Sequence, residues 1–289
     1  MTDYGVLFNE LAVPRLVGTP NHSKVREILV RELEERGFAV ERHAFSIRPA
    51  RALLGAPKQI SGINLIARRS QAEVWAWLVA HYDSKGQPIS MWTRLAGFTL
   101  LVLGALLFVL NWIAAVLTLG VGLAIVLQNR VNNDSPGALD NASAVVTVLM
   151  AIDQVPREAP VGIVFPDAEE YGLAGARALA AERAELFRDS AIINLDGIDD
   201  IGGITVFSHR PGPVGDAVSR ALEASRWRWL PVVVDGIALA RVAREAITIL
   251  KGNVKSMEVV HTTRDNTERI RLDGAAEVAA GLARVLRQP

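Results

Sequence analysis

Three apolar runs in the sequence end in side chains that could hold a metal ion or move a proton. Residues 74–80 are followed by His81-Tyr82-Asp83, residues 161–165 by Asp167-Ala168-Glu169-Glu170, and residues 191–195 by Asp196. In open α/β sheets, ligand sites form beyond the carboxyl ends of the strands, so three such endings in one chain point to a single site. Taken singly, each has an ordinary reading. A His after a strand can be a hydrogen-bonded loop residue, an Asp there a turn former, Glu169-Glu170 a solvated helix start, and Asp140-Asn141 a helix cap. The absence of cysteine removes disulfides, thiolate nucleophiles and Cys-type zinc sites, leaving His and carboxylate as the metal ligands. His22, His43 and His209 lack such company and read as surface or packing residues.

The elements that must position these residues follow from periodicity. Residues 23–36 set Val25, Ile28, Leu29 and Leu33 on one helical face, with Ser23 to cap the start and Gly37 the end. Residues 38–46 and 63–67 read as strands. From residue 74 onward, continuous apolar runs (74–80, 161–165, 191–195, 246–250) alternate with helix-like stretches (142–153, 173–186, 213–224, 274–287). Continuous rather than alternating hydrophobicity suits central strands covered on both faces. The pattern predicts an α/β fold, a three-layer α/β/α sandwich with a central mixed, mostly parallel sheet.

A chain of 289 residues fits one catalytic domain. Half of it is hydrophobic and the mean hydropathy is +0.24, which requires a local concentration of apolar residues. Residues 95–129 supply it: between Arg94 and Arg130, 35 consecutive positions carry no charge. Divided at Asn111-Trp112, the run gives helices over 95–110 and 112–127 of about 24 Å each by helical rise, just able to cross a bilayer core of roughly 30 Å if both arginines snorkel at one face. Trp112 would then sit at the opposite interface. The expectation is an inserted transmembrane or re-entrant hairpin at 95–129 in contact with membrane lipid, within a discontinuous catalytic domain made of 1–94 and 130–289. A buried helical pair, inside the enzyme or at a dimer interface, is the alternative. Lys plus Arg and Asp plus Glu both total 31, so no net field draws in nucleic acid. The N-terminal residues do not read as a secretory signal. With Arg94 and Arg130 at the returning face, the catalytic domain is expected on the cytoplasmic side of the membrane. The oligomeric state is left open by the sequence.

Jointly, the motifs resemble the co-catalytic zinc aminopeptidases of the aminopeptidase S and aminopeptidase Y type, whose relatives include glutamate carboxypeptidase and glutaminyl cyclase. The resemblance runs through His81-Tyr82-Asp83-Ser84, Gly137 to Ser143, Asp167 to Gly172, Asn194-Leu195-Asp196, and His261-Thr262-Thr263-Arg264-Asp265, with Arg15 to Pro20 resembling an N-terminal family element. It implies that His81 and Asp196 bind one Zn²⁺ and Glu170 and His261 a second, with Asp140 bridging the two. It further implies that Glu169 is the general base and that Asp83 accepts the other ring N–H of His81. Two such ions per chain can share and acidify a water and polarise a scissile carbonyl, and a carboxylate that is not a ligand can carry the proton to the leaving amine. The implied activity is a metallo-exopeptidase, an aminopeptidase acting on peptide substrates.

Relatives join the His-x-Asp motif to the Asp-Asn motif by a short loop, whereas 56 residues, 84–139, lie between Asp83 and Asp140 here. Two other readings stand beside the peptidase. One is a single-zinc acyltransferase of the glutaminyl cyclase type, which the chain resembles at His81 to Lys85. The other is a catalytically inactive membrane-bound scaffold, which would be expected to have lost ligands. Residues 201–236 are expected to contribute to the substrate pocket.

Overall fold

The computed structural model describes residues 2–49, 56–69, 73–228 and 233–287. Helices α1 (Tyr4–Leu11) and α2 (Pro20–Glu35) lead into strands β1 (Ala39–Ile47), β2 (Ile60–Arg68) and β3 (Ala76–Val79), followed by a helical pair, α3 (Met91–Leu107) and α4 (Trp112–Val126). The chain then alternates: α5 (Ser143–Asp153), β4 (Val161–Phe165), α6 (Ala174–Glu182), β5 (Ala191–Ile198), β6 (Gly203–Arg210), α7 (Pro213–Ala221) and β7 (Ser225–Trp227). It closes with α8 (Asp235–Leu239), β8 (Glu245–Gly252), α9 (Val254–Val259) and α10 (Asp273–Leu286).

The strands form one mixed sheet in the order β1-β2-β4-β3-β5-β8-β6-β7. The centre, β4-β3-β5-β8, is parallel, while β2 runs against β1 and β4, and β6 against β8. Successive strand residues point to opposite faces, and both faces are covered. Leu65, Leu78, Ile193 and Ile249 pack with α1, α2, α5, α7 and α10 on one side. Ile66, Trp77, Val164 and Ile192 meet α6 and α8 on the other. The uninterrupted hydrophobicity of β3 and β4 follows from this double coverage, since every residue of both strands is buried, and each buried Val, Leu or Ile contributes about 1.5–3 kcal/mol of transfer free energy.

Helix α2 begins at Pro20, not at Ser23: Thr19 is the cap, its hydroxyl accepting the His22 N–H at 3.4 Å. Proline suits the first helical position because its fixed φ matches the helix and its missing N–H would have no partner there. Strands β6 and β7 were not anticipated. β6 mixes buried positions with partly and fully exposed ones and all three residues of β7 are exposed, so neither carries a continuous apolar signal.

The membrane hairpin expected at 95–129 is not supported. Among the described residues, no helix is long and apolar enough to cross a membrane. The break at Asn111 is where the sequence placed it, with the Asn111 side chain capping α4. However, α3 runs from Met91 to Leu107 over 17 residues and α4 spans 15; at 1.5 Å per residue these are about 26 and 23 Å, so neither covers a core of roughly 30 Å without the snorkelling that the expectation assumed. The lipid partnership expected of 95–129 is likewise not supported. The two helices pack closely on each other through glycine. A Cβ at Gly97 would lie 2.7 Å from Ile125, and one at Gly104 would lie 2.7 Å from the Leu119 side chain and 2.9 Å from its backbone nitrogen. Outward, Val102, Leu106, Leu110, Trp112 and Leu117 are exposed. The N-terminal part of the pair reaches the catalytic domain, where α3 contacts α9.

Gly104→Val should wedge the pair apart at a cost of about 1–3 kcal/mol, the usual penalty of overpacking. Hydrogen exchange should then accelerate across residues 112–126 while the central strands keep their protection. Unchanged exchange in α4 would contradict the close approach.

Candidate metal centre

The candidate ligands gather at the carboxyl ends of β3, β4, β5 and β8, joined by Asp140 from the segment that precedes α5, and buried polar contacts fix these segments. After β3, the Arg15 guanidinium donates to the carbonyls of Tyr82 at 2.7 Å and Gly137 at 3.0 Å, tying the His81 loop to the Asp140 loop. Gly137 enters that second loop at φ +60, and a Cβ there would lie 2.4 Å from the Asp140 carbonyl, so only glycine fits. The Asp140–Asn141 peptide is cis. Asn141 reaches across to the β5 loop, donating to Leu195 O at 3.1 Å and accepting from Gly197 N at 3.0 Å. The Asp265 carboxylate accepts the backbone N–H groups of Leu139 at 2.6 Å and Asp140 at 3.2 Å.

Behind the β4 loop lies a second buried network around Asp167. It accepts from Tyr82 Oη and Ile63 N, both at 2.8 Å, and faces His22 Nε2 at 2.8 Å. His22 stacks on the Tyr82 ring with centroids 5.1 Å apart. His22 is therefore a buried packing residue beneath the site, and a surface position is ruled out for it.

These anchors bring the five candidate ligands into two groups that share one carboxylate. Ligand atoms of His81, Asp140 and Asp196 lie within 4.8 Å of one another, as do those of Asp140, Glu170 and His261. His81 Nε2 is 3.1 Å from Asp140 Oδ1, and His261 Nε2 is 3.0 Å from Asp140 Oδ2 and 3.0 Å from Glu170 Oε1. Asp83 stands 3.4 Å from His81 Nδ1, long for a formed hydrogen bond. Its two oxygens also accept the backbone N–H groups of Glu169 and Glu170 at 3.1 and 3.3 Å, so Asp83 positions the β4 loop as well as facing the imidazole.

The donor set fits a divalent metal. His81 Nδ1 and Nε2 and Glu170 Oε1 are buried without a well-directed hydrogen-bond partner among the described residues, an arrangement that costs free energy unless a cation completes it. Imidazole nitrogen and carboxylate oxygen are the ligands Zn²⁺ accepts when thiolate is absent. The electrostatics agree. Burial opposes the charge on Asp140, yet the flanking His261 and His81 hold it well below the usual carboxylate range. Glu170 is likewise drawn down to about 2 against its burial by His261 and by Lys85. Glu169 and Asp196 move the other way, pushed well up by burial and by neighbouring carboxylates, with His81 opposing.

Three neighbours of the centre were not anticipated. Lys85 is buried and its ammonium lies 2.7 Å from Glu170 Oε2. Asp235, at the start of α8, is buried with neither carboxylate oxygen hydrogen-bonded among the described residues, and burial raises its pKa to about 7. Arg94, on α3, brings Nη2 to 3.3 Å from His261 Nδ1. No periodicity marks any of them, because each acts through a contact made only by the fold. The centre opens into a cavity of about 460 Å³ lined by Asp140, Glu169, Glu170, Asp196 and His261 together with apolar side chains such as Leu139, Phe207 and Met257. Of the pocket residues expected within 201–236, Gly203, Thr205, Phe207, Val233 and Val234 line it; residues 229–232 lie outside the described residues.

Asp265→Ala would leave the Leu139 and Asp140 N–H groups unsatisfied, costing about 1–3 kcal/mol of stability in denaturant unfolding. It should also weaken zinc binding about 10–100-fold, as loss of a group supporting a ligand typically does. Unaltered zinc affinity in a destabilised variant would show that Asp265 supports the fold alone.

Comparison with known proteins places this geometry in a family. The sequence pattern of peptidase family M28 matches residues 64–286. A glutaminyl-peptide cyclotransferase of Drosophila melanogaster is 36% identical over 81 residues, covering 28% of this chain and 22% of that protein, about a fifth of its length. Among solved structures, a glutaminyl cyclase of Porphyromonas gingivalis superposes with a TM-score of 0.68 at 19% identity, covering 98% of this chain and 96% of the other. An aminopeptidase of Aneurinibacillus sp. strain AM-1 does so with a TM-score of 0.67 at 13% identity, covering 99% and 94%. At these identities the two structures share the fold, and it is the sequence match over most of the length that shows the chain to belong to peptidase family M28.

Proposed function

We propose that the protein is a two-zinc aminopeptidase, with one ion held by His81, Asp140 and Asp196 and the other by Asp140, Glu170 and His261. The observation that carries this reading is the pair of ligand groups meeting at Asp140, each oxygen of which faces a different imidazole at 3.1 or 3.0 Å. Bound there, two zinc ions would lower the pKa of a shared water and polarise the scissile carbonyl. The residues of the chain do the rest. Glu169 lines the cavity beside these ligands while its backbone is fixed by Asp83, so its carboxylate is placed to take a proton from water and return it to the leaving amine. Leu139, Phe207, Val234 and Met257 in the cavity wall give an apolar side chain of the substrate a surface to bury against.

One observation favours a second reading, a cyclase acting on N-terminal glutaminyl residues. Lys85 already neutralises one oxygen of Glu170 from a fully buried position, which reduces the negative charge available to a second cation.

Hydrolysis of a panel of aminoacyl anilides should be metal-dependent and should fall by about 10²–10⁴-fold in Glu169→Gln, the usual worth of a positioned general base. Release surviving that substitution would remove Glu169 from its role. Ammonia release from glutaminyl peptides without anilide hydrolysis would establish the cyclase instead.

A further inference from the structure

We propose that the arm formed by α3 and α4 is the surface through which two copies of this chain pair, one side of each arm packing on the other as a four-helix bundle. Pairing there is independent of the reaction at the metal centre.

The side that pairs follows from the rotation of the two helices. Gly97 and Gly104 turn toward Ile125 and Leu119, so the helices run antiparallel, and Gly122 faces Gly97 and Leu101 from α4. At 3.6 residues per turn, the positions a quarter turn or slightly more beyond that seam on α3 are Phe98, Val102, Ala105 and Val109. Their counterparts on α4 are Val116, Gly120, Leu123 and Leu127. Antiparallel packing puts both rows on one side of the arm, and all of these residues are exposed, whereas Leu100, Leu107, Thr118 and Ile125 on the other side are already half-buried. Within each row the spacing is i, i+4, i+7, i+11, the repeat by which helices interlock in bundles and coiled coils. A mid-helix glycine costs stability relative to alanine. At Gly97 and Gly104 the close approach of α4 offsets that cost, but a Cβ on Gly120 would meet nothing within 4 Å. There the matching approach would come from a second arm.

Charge and area select the occupant. No charge stands between Arg94 and Arg130 to meet a charged partner. Among the described residues, 16 of the 21 large hydrophobic side chains left exposed lie between Trp92 and Leu127, so the catalytic domain offers no comparable apolar surface to receive the arm. The matching surface is the arm of another copy, and an isologous pair closes on itself. With about 60–120 Å² of apolar area per side chain of this size, the fifteen exposed between Leu95 and Leu127, at 45–89% of their full exposure, leave on the order of 800 Å² uncovered. The largest apolar patch of an ordinary monomer is roughly 300–600 Å². Each partner in a stable pair buries about 800 Å², little more than half of it apolar. Covering somewhat over half of the arm therefore suffices for a stable dimer.

Sedimentation of the full-length chain, purified without detergent and held at micromolar concentration, should give a species of twice 31.3 kDa. Val102→Glu and Val116→Glu each place a charge in the apolar interface and should raise the dimer dissociation constant by at least about 100-fold. Val121→Glu, on the opposite side of the arm, should leave it unchanged. Should a glutamate variant fail to fold, the lack of cysteine in the chain supplies a second reading. The lone thiol of Val116→Cys should be alkylated at least about tenfold more slowly than that of Val121→Cys, because the partner covers it. A monomer, a dimer indifferent to Val102→Glu and Val116→Glu, one weakened equally by Val121→Glu, or equal alkylation of the two thiols overturns the proposal. So does capture of a monomer by phosphatidylcholine vesicles, which would assign the surface to lipid.

Discussion

Both oxygens of one buried carboxylate, Asp140, face imidazoles, and the rest of the site is arranged around that sharing. A carboxylate so placed is costly to bury unless cationic or hydrogen-bonding partners offset the desolvation. Here His81 and His261 do so from opposite sides, and a pair of divalent ions would do so more fully. Asp140 cannot move to serve one partner without leaving the other. Its loop is accordingly held by its own backbone amides on Asp265, by Arg15 through Gly137, and by Asn141 spanning to β5.

The same logic extends outward to the loop after β4. Asp83 holds the Glu169 and Glu170 amides, and Asp167, pinned by Tyr82, Ile63 and His22, holds the start of that loop against β2. The arrangement divides the labour between two neighbouring glutamates. Glu170 is drawn toward His261 and Lys85, whereas Glu169 sits among carboxylates and is left to face the cavity. A parallel sheet core supports this because its strands end on one edge, where the segments leaving them and the long excursion that returns at Asp140 can converge.

What the sequence made legible, and what it hid, divides along physical lines. The central strands were readable because double coverage leaves an unbroken apolar run, as in β4, and His81, Glu170 and Asp196 were readable because they lie at the ends of such runs, whereas Asp140 and His261 were legible only through the motifs they share with the resembled family. Strands β6 and β7 were not, since the partly exposed positions of β6 and the fully exposed edge strand β7 carry no such signal. The uncharged stretch 95–129 misled for a different reason. The break at Asn111 was readable, but hydropathy counts apolar residues and does not register that the close approach at Gly97 and Gly104 packs the two helices on each other. Arg94 and Lys85 illustrate the remaining limit. Arg94 was legible only as the flank of the uncharged run and Lys85 only as the end of a motif, and the place of each beside His261 or Glu170 exists only once distant segments are brought together.

The first turn of α3 thus contributes Met91 and Arg94 to the wall of the site, while the metal pair remains the claim on which every functional step depends. Anomalous diffraction at the zinc edge from zinc-loaded crystals tests that claim most directly. The account predicts two peaks on either side of the Asp140 carboxylate, about 3.5–4 Å apart as in co-catalytic pairs, one beside His81 and Asp196 and the other beside Glu170 and His261. A single peak, or zinc bound away from Asp140, would contradict it.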